Sequence, residues 1–288
     1  MTVYVTQEQR DFFTENGYLV VKQVYRQEQL TRLCEEYAVI WLQLLASGQV
    51  KQQAHDPFAS LYPNRLRDFH QDNEGIRDFM MEPSAIGVLK ELIGEEPIAV
   101  QSGFYYKPPG TRGLGYHQDN YHIGVSPDTS YAIWVSIDGA DPENGSLLFV
   151  PGTHRLELAS AEVVAGSTNA YSSEILRVPE GYKAIQIETE PGDIVIFTGN
   201  TYHGSTKNKS RYRYRRSFVT HFAPQSTDKV TLNYSHLVDT RGSRVRRRLN
   251  TRSKIMETQP SVFHYHDTPY YDQFIHKKQQ PHSQPDKG

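Results

Sequence analysis

The chain has 288 residues, a formal net charge of -2 and 37% hydrophobic residues, with 19 Tyr and 12 Phe to carry much of the packing. That length can bury one large core, and the near-neutral charge excludes a global field for nucleic acid or a membrane surface. A single cysteine, Cys34, excludes an internal disulfide, and with neither a leader-like start nor an apolar run long enough to span a bilayer it points to a cytoplasmic protein.

In chain order, Thr6 with Gln9 three residues on predicts a capped helix that Gly17 ends in the left-handed conformation. Tyr18–Val21 then reads as a strand. A longer helix follows over Gln27–Ala46, where Leu30, Leu33, Cys34, Tyr37, Trp41 and Leu44 recur at helical spacing. Residues 49–71 show no period and contain Pro57 and Pro63, which predicts a loop or lid in which His55 and His70 have no assigned role. Glu82 or Ser84 opens another helix, through Ile86, Val88, Leu89 and Leu92, closed by Gly94.

From Pro97 the period becomes two. Short runs at 98–106, 115–121, 131–137, 146–150, 184–188, 193–198 and 215–222 read as strands, separated by Pro-Gly, Gly-Asp and Asn-Gly turns. So many short strands predict an antiparallel sandwich or barrel. Beyond Phe222 the most basic stretch is 241–248, read as a solvated face or a segment folding over the barrel before a phosphate site. Residues 262–271 are aromatic, and 279–288 are polar and Pro-containing.

The chemistry concentrates in His117-Gln118-Asp119 and, far downstream, in His203. On a strand, His117 and Asp119 would share one face and Gln118 would point away. His203 follows the run 193–198 and is expected on a loop. Two imidazoles and one carboxylate make the facial set that holds non-heme Fe(II) with positions left open. Zinc of the same ligand composition stays chemically possible.

Around these ligands stand Thr6-Gln7-Glu8-Gln9-Arg10-Asp11-Phe12-Phe13, Asn16-Gly17-Tyr18-Leu19-Val20-Val21, Lys107-Pro108-Pro109-Gly110, Asn144-Gly145-Ser146-Leu147, Val150-Pro151-Gly152-Thr153-His154-Arg155, His203-Gly204-Ser205 and Arg215-Arg216-Ser217-Phe218. Over about residues 6–222 this pattern resembles the phytanoyl-CoA dioxygenase family, a branch of the Fe(II)/2-oxoglutarate oxygenases. The resemblance implies a mainly β fold with flanking helices, the double-stranded β-helix or jelly roll. It implies one oxygenase domain over 1–288: a helical part and lid to residue 96, a core over 97–222, an extension packing on it over 223–278, and a tail over 279–288.

The same resemblance implies Fe(II) on His117, Asp119 and His203, 2-oxoglutarate as cosubstrate, and O2 with a small-molecule substrate, most simply a polar or secondary metabolite that is hydroxylated with release of succinate and CO2. Desaturation, dealkylation and ring closure stay open as outcomes. Related halogenases carry a small residue at the carboxylate position, so Asp119 implies oxygen insertion. Arg215 is the implied anchor of the distal carboxylate, with Arg216 as the competing register. Alternation allows only one of them. Ser205, Gln101 and Trp134 match cosubstrate-pocket positions, while Tyr105 departs from an amide that some relatives carry. Lys107 reads as flanking the entrance or ordering its turn, and His154 as structural. His221 depends on which way it points. Tyr121 and His122, just past the triad, and Phe58 and Tyr62 in the lid are the implied substrate contacts. The competing classes are a non-catalytic jelly-roll binding protein and a zinc hydrolase. Intact ligands count against the first, and the lack of a general-base motif against the second. Oligomeric state is not legible.

Overall fold

The structure, a computed structural model, describes residues 5–49, 65–159, 162–163 and 174–253. Phe58, Tyr62, His55 and the 254–288 segment lie outside the described residues. The helices are α1 (Gln7–Asn16), α2 (Gln27–Ala46), α3 (Glu74–Met80), α4 (Pro83–Ile93) and α5 (Asp119–Ile123). The strands are β1 (Tyr18–Val21), β2 (Arg65–Arg67), β3 (Pro97–Tyr105), β4 (Leu114–His117), β5 (Tyr131–Ser136), β6 (Leu147–Phe149), β7 (Glu162–Val163), β8 (Glu174–Ile175), β9 (Ile185–Ile187), β10 (Ile194–Thr198), β11 (His203–Ser205), β12 (Ser217–Pro224), β13 (Lys229–Val230), β14 (Leu237–Val238), β15 (Arg244–Val245) and β16 (Arg248–Leu249).

Local chemistry sets the helix ends. Thr6 Oγ1 accepts the Gln9 N–H at 3.2 Å while Gln9 Oε1 accepts the Thr6 N–H at 2.9 Å, a reciprocal capping box. Gly17, at φ 78°, closes α1 by donating its N–H to Phe13. Pro83 starts α4 at its first turn, and Gly94, at φ 77°, ends it. On α2 the buried stripe Leu30, Leu33, Tyr37, Ile40, Trp41 and Leu44 lies against the large sheet. Each such aliphatic side chain contributes about 1.5–3 kcal/mol relative to exposure.

Eight strands form the large sheet, in the order β1-β10-β5-β12-β3-β14-β15 with β2 also on β3. A four-stranded sheet, β4-β11-β6-β9, packs over it. Strand alternation divides the faces. Ile133, Val135, Ile194, Ile196, Phe104 and Phe218 meet the helices. Ala132, Trp134, Val195, Phe197 and Val219 meet Leu147, Phe149 and Ile187 of the smaller sheet. With both faces covered, the central strands β10 and β12 are buried along their whole length. The two packed antiparallel sheets are the jelly roll that the family resemblance implied. Between β12 and β3 the register shifts after His221↔Gln101, a bulge that leaves Val100 without a partner across the ladder. From residue 229 the chain returns to the sheet, where Val230, Leu232 and Leu237 pack with Ile98, Val100, Ile123 and Val125. In the 241–248 stretch Arg241, Arg244, Arg246 and Arg248 are exposed, Arg247 is half-buried and donates to the Gln225 carbonyl, and Arg248 pairs with Asp228. Among the described residues no helix is long and apolar enough to cross a membrane.

Three local expectations need correction. Residues 65–71 are not loop: β2 pairs with β3 from Arg65↔Tyr105 to Arg67↔Gly103, and a 3-10 turn (Phe69–Gln71) follows. A strand with one apolar residue, Leu66, draws its order from its partner and not from its own pattern. The run 115–121 is not one strand. β4 stops at His117, Gln118 stays extended, and Asp119 opens α5, which Gly124 closes at φ 66°. His203 is not on a loop but opens β11, held between β4 and β6 through His203↔His117 and His203↔Phe149.

Candidate metal and cosubstrate site

His117, Asp119 and His203 converge with their ligand atoms all within 4.8 Å of one another. The convergence comes from a cross-strand pair, His117 on β4 facing His203 on β11, with Asp119 swung in by the change from strand to helix. Gln118 is turned away and braces the corner, its amide donating to Asn200 at 2.8 Å and accepting from Ala159 at 2.9 Å.

Both imidazoles have a fixed tautomer. His117 Nδ1 lies 2.9 Å from the Gly115 carbonyl, and His203 Nδ1 lies 2.9 Å from the Thr201 carbonyl. A carbonyl only accepts, so each Nδ1 carries a proton and each Nε2 is turned toward Asp119. Asp119 Oδ1 is 3.4 Å from His117 Nε2, and Oδ2 is 3.5 Å from His203 Nε2. The donor set fits Fe(II).

Burial works against charge at all three groups. At His203 burial wins, helped by the neighbouring His117, and the pKa falls to about 4 despite Asp119. At His117 the hydrogen bond and charge of Asp119 overcome burial and raise the pKa. Asp119 itself resists burial and is held well below the usual carboxylate range by His203 and His221. The carboxylate and the His203 lone pair are therefore available to a cation at neutral pH.

His221 points inward. Its Nε2 stands 3.0 Å from Asp119 Oδ2, on the strand directly opposite Gln101. Gln101 in turn accepts a hydrogen bond from Arg67. His122 is held at a pKa of about 4 by burial and by the charge of His117, with Arg67 and Arg65 adding to the effect. Tyr121 is buried edge-on to His122, ring centroids 5.2 Å apart.

Arg215 is 6% exposed, with its guanidinium carbon 5.7 Å from the centre of the Trp134 ring. Its Nε donates to the Gly145 carbonyl at 3.2 Å and its Nη1 to Ser217 Oγ at 2.8 Å. Arg216 goes the other way, gripping Asp138 at 2.7 and 2.9 Å. The two arginines stand just ahead of β12 instead of within it, on opposite sides. Ser205 Oγ lies 3.0 Å from Lys107 Nζ, and the Arg215 N–H donates to the Lys107 carbonyl at 3.0 Å, so Arg215 and Ser205 meet through Lys107. His154 does structural work at the Thr14 carbonyl, 3.2 Å away.

Sequence reasoning left His221 undecided, kept Lys107 flanking the entrance or ordering its turn, and gave Arg67 no role. The signal for His221 was the two-residue period from Arg215 through Ser217 and Val219. For Arg67 it was the Arg65-Leu66-Arg67 alternation, once Leu66 is known to face the helices.

Comparison with known proteins agrees with this geometry. The phytanoyl-CoA dioxygenase (PhyH) family pattern matches residues 13–217. The chain is 27% identical to the peroxisomal phytanoyl-CoA dioxygenase of Bos taurus over 232 residues, which cover 75% of this chain and 68% of the bovine protein. It is 24% identical to a 2-aminoethylphosphonate dioxygenase of the uncultured bacterium HF130_AEPn_1 over 230 residues, 76% of this chain and 82% of that one. Among solved structures, the epimerase SnoN in complex with Fe3+, alpha ketoglutarate and nogalamycin RO superposes with a TM-score of 0.60 at 16% identity, covering 77% of this chain and 84% of SnoN. With a match spanning most of its length and a ligand cluster suited to iron, the chain belongs to the phytanoyl-CoA dioxygenase family of Fe(II)- and 2-oxoglutarate-dependent dioxygenases.

Proposed function

We propose that His117, Asp119 and His203 hold the Fe(II), that Arg215 and Ser205 anchor the distal carboxylate of 2-oxoglutarate, and that the enzyme hydroxylates a small polar or secondary metabolite. The observation that carries this reading is a three-ligand cluster with Ser205 two residues beyond His203 on β11, bonded through Lys107 to the main chain of Arg215, whose guanidinium is buried. Bound there, iron and 2-oxoglutarate supply activation of O2, one oxygen atom leaving in succinate and the other entering the substrate.

The chain's own residues orient and shield. A guanidinium meets a carboxylate with two parallel N–H bonds, which fixes both position and angle. Trp134 covers the face of Arg215, while Phe149 and Phe197 pack on His203 with ring centroids 5.8 and 4.6 Å away. Together they keep water from the iron side of the barrel. Gln101 braces Arg67. Tyr121 and His122, with Phe58 and Tyr62 from the 49–71 segment, are the proposed substrate contacts, and residues 1–288 are proposed to form one oxygenase domain. A full carboxylate at position 119 favours oxygen insertion, and a relative named for 2-aminoethylphosphonate supports a small polar substrate.

Arg215→Ala tests the anchor. The expected result is weaker 2-oxoglutarate binding by about 2–5 kcal/mol, read by calorimetry on the metal-loaded protein. Arg216→Ala should leave that affinity alone and lower the melting temperature, since it releases Asp138. The opposite pairing of effects would move the anchor by one residue.

A further inference from the structure

Beside Arg215 lies a second buried basic side chain, to which the proposed function gives no chemical role of its own. Lys107 is 3% exposed, and its Nζ meets Ser205 Oγ at 3.0 Å and the Thr206 carbonyl. Neither partner carries a charge. Burial, with the Arg215 charge adding to it, pushes its pKa down to about 6. The acids on the neighbouring turn do not offset this: Asp141 and Glu143 are gripped by Arg213 on the exposed side, and Asp138 is taken by Arg216. In the free protein Lys107 is therefore chiefly an uncharged amine at neutral pH.

The state of the amine dictates where the Ser205 proton points. Ser205 Oγ already accepts the Leu114 N–H at 3.2 Å. A hydroxyl has one proton to give and two lone pairs to fill. An uncharged Lys107 has a lone pair, so it can take the hydroxyl proton and turn it away from the cosubstrate. An ammonium has no lone pair and can only donate. Leu114 and Lys107 then fill both lone pairs of Oγ, and the hydroxyl proton is free to serve a carboxylate.

We propose that Lys107 takes up one proton from solvent when 2-oxoglutarate binds, and that its charged form aims the Ser205 hydroxyl at the distal carboxylate. The inference rests on the cosubstrate reading above. Lys107 is thus a positioning residue: the new N–H bond forms on Nζ, and the substrate chemistry is untouched. Arg215 is a permanent charge. A lysine that charges only when an anion arrives spares the free protein two like charges buried side by side.

Calorimetric titration of 2-oxoglutarate into the Mn(II)-loaded protein, in two buffers of different ionisation enthalpy, counts the protons. At about pH 7.5 the uptake should approach one proton for each 2-oxoglutarate bound, with Kd rising toward about tenfold per pH unit. Lys107→Met should still bind through Arg215 but lose both the uptake and the pH slope. Binding by the wild type with no proton uptake, or uptake that persists in Lys107→Met, overturns the proposal. No binding of 2-oxoglutarate at any pH overturns the cosubstrate reading, and this one falls with it. The wild-type proton count needs no variant to fold.

Discussion

Asp119 is held by His221 more closely than by either imidazole with which it would share iron. The His221 contact is 3.0 Å, against 3.4 and 3.5 Å to His117 and His203. A carboxylate with one oxygen tied down meets a metal through the other, which keeps coordination positions open. His221→Leu removes the donor and should weaken Fe(II) or Co(II) binding by about 10–100-fold in competitive titrations. His221→Gln, which keeps an N–H at similar reach, should recover most of the loss. Equal affinity for the Leu variant and the wild type would make the contact incidental. The ligand types were legible in the sequence because His-x-Asp with a distant His is a chemical signature. The orientation of His221 was not. A period of two says which residues share a face, and only the second sheet says which face is inside. Lys107 was hidden for a related reason: Lys-Pro-Pro-Gly reads as an exposed turn, and its burial comes from residues about a hundred positions away.

At the scale of elements, the site depends on how closely β4 and β11 approach. Gly204, between His203 and Ser205, allows that approach. A Cβ there would lie 2.6 Å from the Leu114 carbonyl oxygen and 3.2 Å from Gly115. Both neighbours are backbone, so relief means moving β4, and His117 moves with it. Gly204→Ala should cost about 1–3 kcal/mol of stability and should lower metal affinity in the same protein. Thermal melts and metal titration check the two effects, and a stability loss with unchanged metal affinity would separate the strand spacing from the site. Elements with their own punctuation were legible. α1 carried Thr6, Gln9 and Gly17, and α2 carried a long apolar stripe. β2 and α3 carried too little: three residues with one apolar, and seven residues that barely complete two turns. The switch from β4 to α5 was illegible because a helix of five residues is too short to show a helical period.

Across the whole molecule, the large sheet is a slab buried on both sides, by helices on one face and by the ligand-bearing sheet on the other. That arrangement places the charged groups of the site between two apolar layers, where hydrogen bonds and ion pairs are strongest. Composition and strand spacing led as far as an antiparallel sandwich or barrel. The order of the strands did not follow from them, since β1 pairs with β10 across more than 170 residues, from Tyr18↔Phe197 to Val21↔Ile194. The family resemblance, which the matched residues 13–217 support, narrowed the class to the jelly roll but named no strand order. His117, Asp119 and His203 are proposed to hold the iron that drives 2-oxoglutarate turnover. The most direct test is succinate release from protein loaded with Fe(II) and 2-oxoglutarate and then exposed to O2, measured for wild type and Asp119→Ala alongside their bound iron. The wild type should hold a single Fe(II) and release succinate in an iron-dependent way, and Asp119→Ala should lose both with the thermal melt preserved. An Asp119→Ala protein that still binds iron and releases succinate at the wild-type rate would contradict that role.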